Sequence, residues 1–80
     1  MKIQILGTGC AKCKKLADMV EKACGELELS CEIEKITGIA EIISFGVAST
    51  PGLAVNGKVL FAGSLPSMER LRELLKAETE

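Results

Sequence analysis

Histidine, tryptophan and tyrosine are absent from this 80-residue chain, and phenylalanine occurs only twice. The missing histidine counts against every mixed cysteine and histidine zinc site. The missing aromatics remove the platforms on which single-stranded nucleic acid or a sugar would stack. No excess of one charge exists either: 10 Lys and Arg face 11 Asp and Glu, for a formal net charge of -1. Neither a nucleic-acid surface nor an acidic tail follows from that balance. No apolar run approaches transmembrane length, and the opening Met-Lys-Ile-Gln-Ile-Leu-Gly is too short and too interrupted for a signal-peptide core. A cytoplasmic protein with no membrane or nucleic-acid partner is expected.

What is present is 48% hydrophobic content in a chain short enough to exclude a second core. One domain over residues 1–80 is the expectation, built around one modest core. Four cysteines are also present. In a small secreted protein they would suggest a disulfide scaffold; without an export signal the balance shifts to redox or metal chemistry.

Residues 2–6 alternate, with Ile3 and Ile5 on one side and Lys2 and Gln4 on the other, and stop at Gly7-Thr8-Gly9. A strand and a loop are predicted. From residue 11 to about 27 the apolar positions Leu16, Val20, Ala23 and Leu27 recur at spacings of three and four among Lys and Glu. That is an amphipathic helix beginning at a cysteine pair. Residues 30–36 fit a second strand with imperfect alternation, ended by Thr37-Gly38. Ile39, Ile42 and Ile43 predict a short helix closing near Gly46, despite their β-branched bias. Leu53-Ala54-Val55, Asn56-Gly57 and Lys58-Val59-Leu60-Phe61 read as a hairpin, because Asn-Gly accepts the positive φ angles of a type I′ turn. Ser67 can cap a last helix with Met68, Leu71, Leu74 and Leu75 on one face. The order is βαβαββα, and the right-handed crossover rule makes the first two strands parallel neighbours in an α/β sandwich.

The chemistry concentrates at Cys10-Ala11-Lys12-Cys13. A Cys-x-x-Cys pair at a helix start has two properties that thiol exchange needs. Unsatisfied amide groups and the positive end of the helix dipole stabilise a thiolate on Cys10, with weak help from Lys12, Lys14 and Lys15. Lowering its pKa from about 8.5 to about 7 would raise the reactive fraction at neutral pH from a few per cent to roughly half. The spacing also brings Cys13 close enough to resolve a mixed disulfide held by Cys10. The same motif grips metals, although a lone pair supplies only two of the four ligands structural zinc prefers.

Far along the chain stands Ser49-Thr50-Pro51-Gly52-Leu53, a proline just before the hairpin strand. With it, the sequence resembles the thioredoxin and glutaredoxin superfamily, and more closely its very small redox-active disulfide proteins. The resemblance runs from Ile3-Gln4-Ile5-Leu6-Gly7-Thr8-Gly9-Cys10-Ala11-Lys12-Cys13 through Thr50-Pro51-Gly52-Leu53-Ala54-Val55-Asn56-Gly57. It implies a thioredoxin-like fold, with a four-stranded mixed sheet and helices on both faces. It implies a protein disulfide oxidoreductase with Cys10 as nucleophile and Cys13 as resolving thiol, tuned by Ala11 and Lys12, and with no resident cofactor or metal. Pro51 would be cis beside the active-site disulfide, Thr50 would pair its backbone with an extended substrate segment, and Gly63 would border the same groove. On residues alone, Pro51 reads as an ordinary trans proline at a strand start, and Gly63 reads equally as a bend before the last helix. The implied partners are a disulfide-containing protein substrate and a thioredoxin-reductase-like or thiol-based reductant, met by a monomer.

The chain departs from typical thioredoxins where Gly9 replaces a Trp, where Ala11-Lys12 replaces Gly-Pro, and where the first strands lack a carboxylate suited to proton transfer. Cys24 and Cys31 read as small apolar fillers, with a second disulfide as the other reading. The rival function is a carrier of Cu(I), arsenic or mercury, since heavy-metal-associated domains also place Cys-x-x-Cys between strand and helix. That fold is βαββαβ and would have a strand at residues 39–45.

Overall fold

The computed structural model describes residues 1–9 and 11–79. Strand β1 (Lys2–Leu6) leads through the glycine-containing loop to helix α1 (Ala11–Glu26), then to β2 (Glu32–Ile36) and the short α2 (Ile39–Ser44). The hairpin β3 (Gly52–Val55) and β4 (Lys58–Ala62) follows, and α3 (Met68–Thr79) ends the described chain. The order is the βαβαββα expected from the pattern.

The strands form one sheet in the order β2-β1-β3-β4. β1 and β2 are parallel, with Ile3 beside Ile33 and Leu6 beside Ile36. β1 and β3 are antiparallel, Ile5 lying beside Leu53. β3 and β4 are antiparallel, with a register shift at Leu53/Ala54, where Phe61 and Val59 are the successive partners. Asn56 and Gly57 adopt φ values of 51° and 86°, the left-handed pair a type I′ turn requires.

Helices cover both faces. On one, Ile3, Ile5, Leu53 and Val55 pack against Leu16, Val20 and Ala23 of α1 and Leu71 and Leu75 of α3. On the other, a smaller cluster joins Leu6 and Ile36 to Ile42 of α2 and Val47. Ser67 Oγ accepts the Arg70 N–H at 3.1 Å, the cap expected for α3.

Two details differ from the sequence pattern. Gln4, a polar residue in the alternation, is buried at 7% exposure on the same face as Leu6. Its Oε1 accepts the Gly57 N–H at 3.1 Å, so the buried amide is anchored to the hairpin turn. β2 also begins at Glu32, two residues later than the pattern suggested, because the chain leaving α1 still has to reverse. That reversal passes through Glu28 at φ 55° and a bond from Leu29 N–H to Cys24 O at 2.9 Å.

Candidate functional site at the start of helix α1

β1 delivers the chain to one end of the sheet, where the Gly7 N–H bonds to Ile36 O at 3.0 Å. Gly9 then takes φ 88°, a left-handed conformation that glycine adopts without strain. Cys10, the expected nucleophile, lies outside the described residues. Ala11 and Lys12 open α1 and are exposed, whereas Cys13 is buried at 5% exposure. The spacing 13, 16, 17, 20 explains the contrast, since it puts Cys13 on the inward stripe with Leu16, Ala17 and Val20.

The electrostatics of this helix start favour an anion. The first turn of a helix has amide groups without intrahelical acceptors, at the positive end of the dipole. No acidic residue occupies the first turn of α1. Lys12, Lys14 and Lys15 are exposed around it, an arrangement poor for helix stability and good for a thiolate.

Three distant segments meet at Gly7. A Cβ built there would collide with Cys13 Sγ, come within 3.0 Å of Cys13 Cβ, and lie 3.9 Å from Thr50 Cβ. Only a residue without a side chain lets the end of β1, the start of α1 and the segment before β3 approach this closely. The Thr50-Pro51 peptide is cis, as the resemblance implied. Pro51 is buried while Thr50 is exposed. The Pro51 carbonyl accepts the Gly63 N–H at 2.9 Å. Gly63 has φ 90°, and a Cβ there would approach Ser49 Cβ to 3.2 Å. Cys13, Thr50, Pro51 and Gly63 therefore belong to one neighbourhood, with Ala11 and Lys12 on the exposed helix start.

Sequence reasoning missed the two hollows that flank it. One, about 180 Å³, is lined by Ile5, Gly7, Gly9, Cys13, Lys14, Lys35 and Thr37. Its charged lining is basic, so the place where a proton-transferring carboxylate would be useful holds two lysines instead. The second, about 350 Å³, is lined by Thr8, Ile39, Ile42, Ile43, Val47, Ala48 and Thr50. Ile39 and Ile43 are 67% and 63% exposed, since α2 turns only Ile42 onto the sheet. The i, i+3, i+4 spacing of Ile39, Ile42 and Ile43 suggests one shared inward stripe, so the sequence carried no signal that Ile42 alone would be buried.

The family model described as Thioredoxin domain matches residues 1–76. The chain is similar to a thioredoxin of Methanocaldococcus jannaschii, at 42% identity over 78 residues, covering 98% of this chain and 90% of the relative. It is similar to a thioredoxin of Methanothermobacter thermautotrophicus, at 41% identity over 75 residues, covering 94% and 97%. A probable thioredoxin of Archaeoglobus fulgidus is 31% identical over 67 residues, covering 84% of this chain and 72% of its own.

Proposed function

The chain belongs to the thioredoxin family, and from that premise we propose that it is a thiol–disulfide oxidoreductase that reduces protein disulfides through Cys10 and Cys13. The observation that carries the reading is the meeting of Cys13, in the first turn of α1, with Thr50 across Gly7.

In the proposed cycle the Cys10 thiolate attacks one sulfur of a substrate disulfide, the substrate S–S bond breaks, and the first substrate thiol leaves. The Cys13 sulfur then loses its proton and attacks Cys10, expelling the second substrate thiol and closing the Cys10–Cys13 disulfide. Two electrons pass from the chain to the substrate, and two protons end on the substrate thiols. A thioredoxin-reductase-like or thiol-based reductant returns the pair to the dithiol. Ala11 and Lys12, on the exposed helix start, tune the Cys10 thiolate. Among the described residues lining the hollow beside Cys13, the charged ones are Lys14 and Lys35.

An extended substrate segment lies along the exposed Thr50 backbone and the Gly63 bend, with apolar side chains in the groove formed by Ile39 and Ile43. The same reading takes the protein as one domain acting as a cytoplasmic monomer without a resident cofactor or metal. Among the described residues, no helix is long and apolar enough to cross a membrane. The heavy-metal-associated alternative gains no support, because residues 39–44 form a helix where that fold needs a strand.

The test is a trapping comparison. Cys10→Ser is expected to abolish turnover of a protein disulfide, and Cys13→Ser to accumulate mixed disulfides with protein partners. Equal accumulation from both variants would overturn the assigned roles.

A further inference from the structure

Cys24 and Cys31 take no part in that cycle, yet the fold brings them together at the other end of α1. Cys24 is in the helix at 5% exposure, and Cys31 is half-buried just before β2, packed against the same core. Six residues separate them, and the chain doubles back between them through bonds from Leu27 N–H to Ala23 O at 3.0 Å and from Leu29 N–H to Cys24 O at 2.9 Å. The Met1 ammonium donates to Ser30 O at 3.1 Å, and Glu32 N–H donates to Met1 O at 2.8 Å, which clamps the residues on either side of Cys31. Both side chains sit at the one apolar cluster that also holds Val20, Ala23, Leu27 and Leu29.

We propose that Cys24 and Cys31 form a second dithiol–disulfide couple, independent of Cys10 and Cys13, which closes by exchange with an oxidised low-molecular-weight disulfide and ties the end of α1 to the start of β2. Exposure sets the order of events. The half-exposed Cys31, as thiolate, attacks one sulfur of the small disulfide, whose S–S bond breaks to release one thiol. Cys24 then gives its proton to solvent and attacks the Cys31 sulfur, releasing the second thiol. The chain loses two electrons and the small disulfide gains them, leaving as two thiols.

The state of Cys24 fits that sequence. Burial first, then the proximity and the charge of Cys31, push its thiol up to about 12, against the opposing Met1 ammonium. Cys24 is therefore a poor first attacker. Capture of Cys31 in a mixed disulfide removes that charge, which eases the loss of the Cys24 proton when it is needed.

One digest of the full chain tests the proposal. The protein is equilibrated with graded ratios of glutathione disulfide to glutathione, quenched, alkylated and cut with trypsin. Cleavage after Lys22 and Lys35 leaves Cys24 and Cys31 on one peptide, residues 23–35, while cleavage after Lys12 separates Cys10 from Cys13. The expected result is loss of both alkyl groups from peptide 23–35, with a product lighter than the dithiol by two hydrogens, in the wild type and in Cys10→Ser/Cys13→Ser alike. Cys24→Ala is expected to stop at a glutathione adduct on Cys31; should it not fold, the wild-type digest decides alone. A peptide 23–35 that stays doubly alkylated at every ratio, or that ends as a glutathione adduct in the wild type, would overturn the couple. Because the two pairs are read separately, failure here leaves the Cys10–Cys13 reading untouched, and the reverse also holds.

Discussion

Gly7 has a neighbour problem rather than a backbone one. A methyl group there meets the sulfur of Cys13 on one side and Thr50 on the other, whereas at Gly9 nothing lies within 4 Å and the constraint is the φ of 88°. Gly7→Ala therefore has to push Cys13 or the Thr50 segment aside. Overpacking of this kind costs about 1–3 kcal/mol. Urea unfolding is expected to show that loss, together with slower exchange with a protein disulfide. Parent-like stability and parent-like exchange in the same variant would refute the packing role of Gly7. Sequence pattern alone read Gly7-Thr8-Gly9 as a turn, since a local window contains neither Cys13's rotation on its helix nor Thr50.

The elements differ in how much they owe to their own residues. α1 carries a long inward stripe and α3 a side-chain cap, so both were legible from periodicity and from Ser67. Removing that cap, Ser67→Ala, is expected to lower stability by about 1 kcal/mol in urea unfolding, while Ser67→Asp restores it and both variants keep the parent rate of thiol exchange. A loss shared equally by Ser67→Asp would show that the cap is not what matters. α2 is the opposite case. It has six residues, Gly38 before it supplies no side-chain cap, and Ile42 alone is buried. So short a helix does not hold in isolation; it persists because Ile42 packs with Leu6, Ile36 and Val47.

For the molecule as a whole, the consequence of α2 is a surface. Ile39 and Ile43 stand open beside Thr50 on a chain whose extents are only 32 × 22 × 17 Å. Exposed apolar side chains next to a reactive centre act on what docks there rather than on the fold. Ile39→Ser/Ile43→Ser is expected to leave the urea midpoint near that of the parent. It should raise KM for a protein disulfide about tenfold, a loss of about 1.4 kcal/mol, without changing the rate with a small aromatic disulfide reagent. An equal effect on both substrates would place the two isoleucines outside the docking surface.

Periodicity within short windows carried the element order, the Asn56-Gly57 hairpin and the position of Cys10 and Cys13 in the chain relative to α1, because each depends on neighbours two to four residues apart. The cis Thr50-Pro51 came from likeness to a family, as no local pattern specifies it. Other features depend on sheet register and on which helix face meets which strand. Those set the burial of Gln4 under the hairpin turn, the exposure of Ile39 and Ile43, the meeting of Cys24 with Cys31, and the two lysines in the hollow behind Cys13. Such features follow from how the elements pack on one another, and only the packed chain decides them.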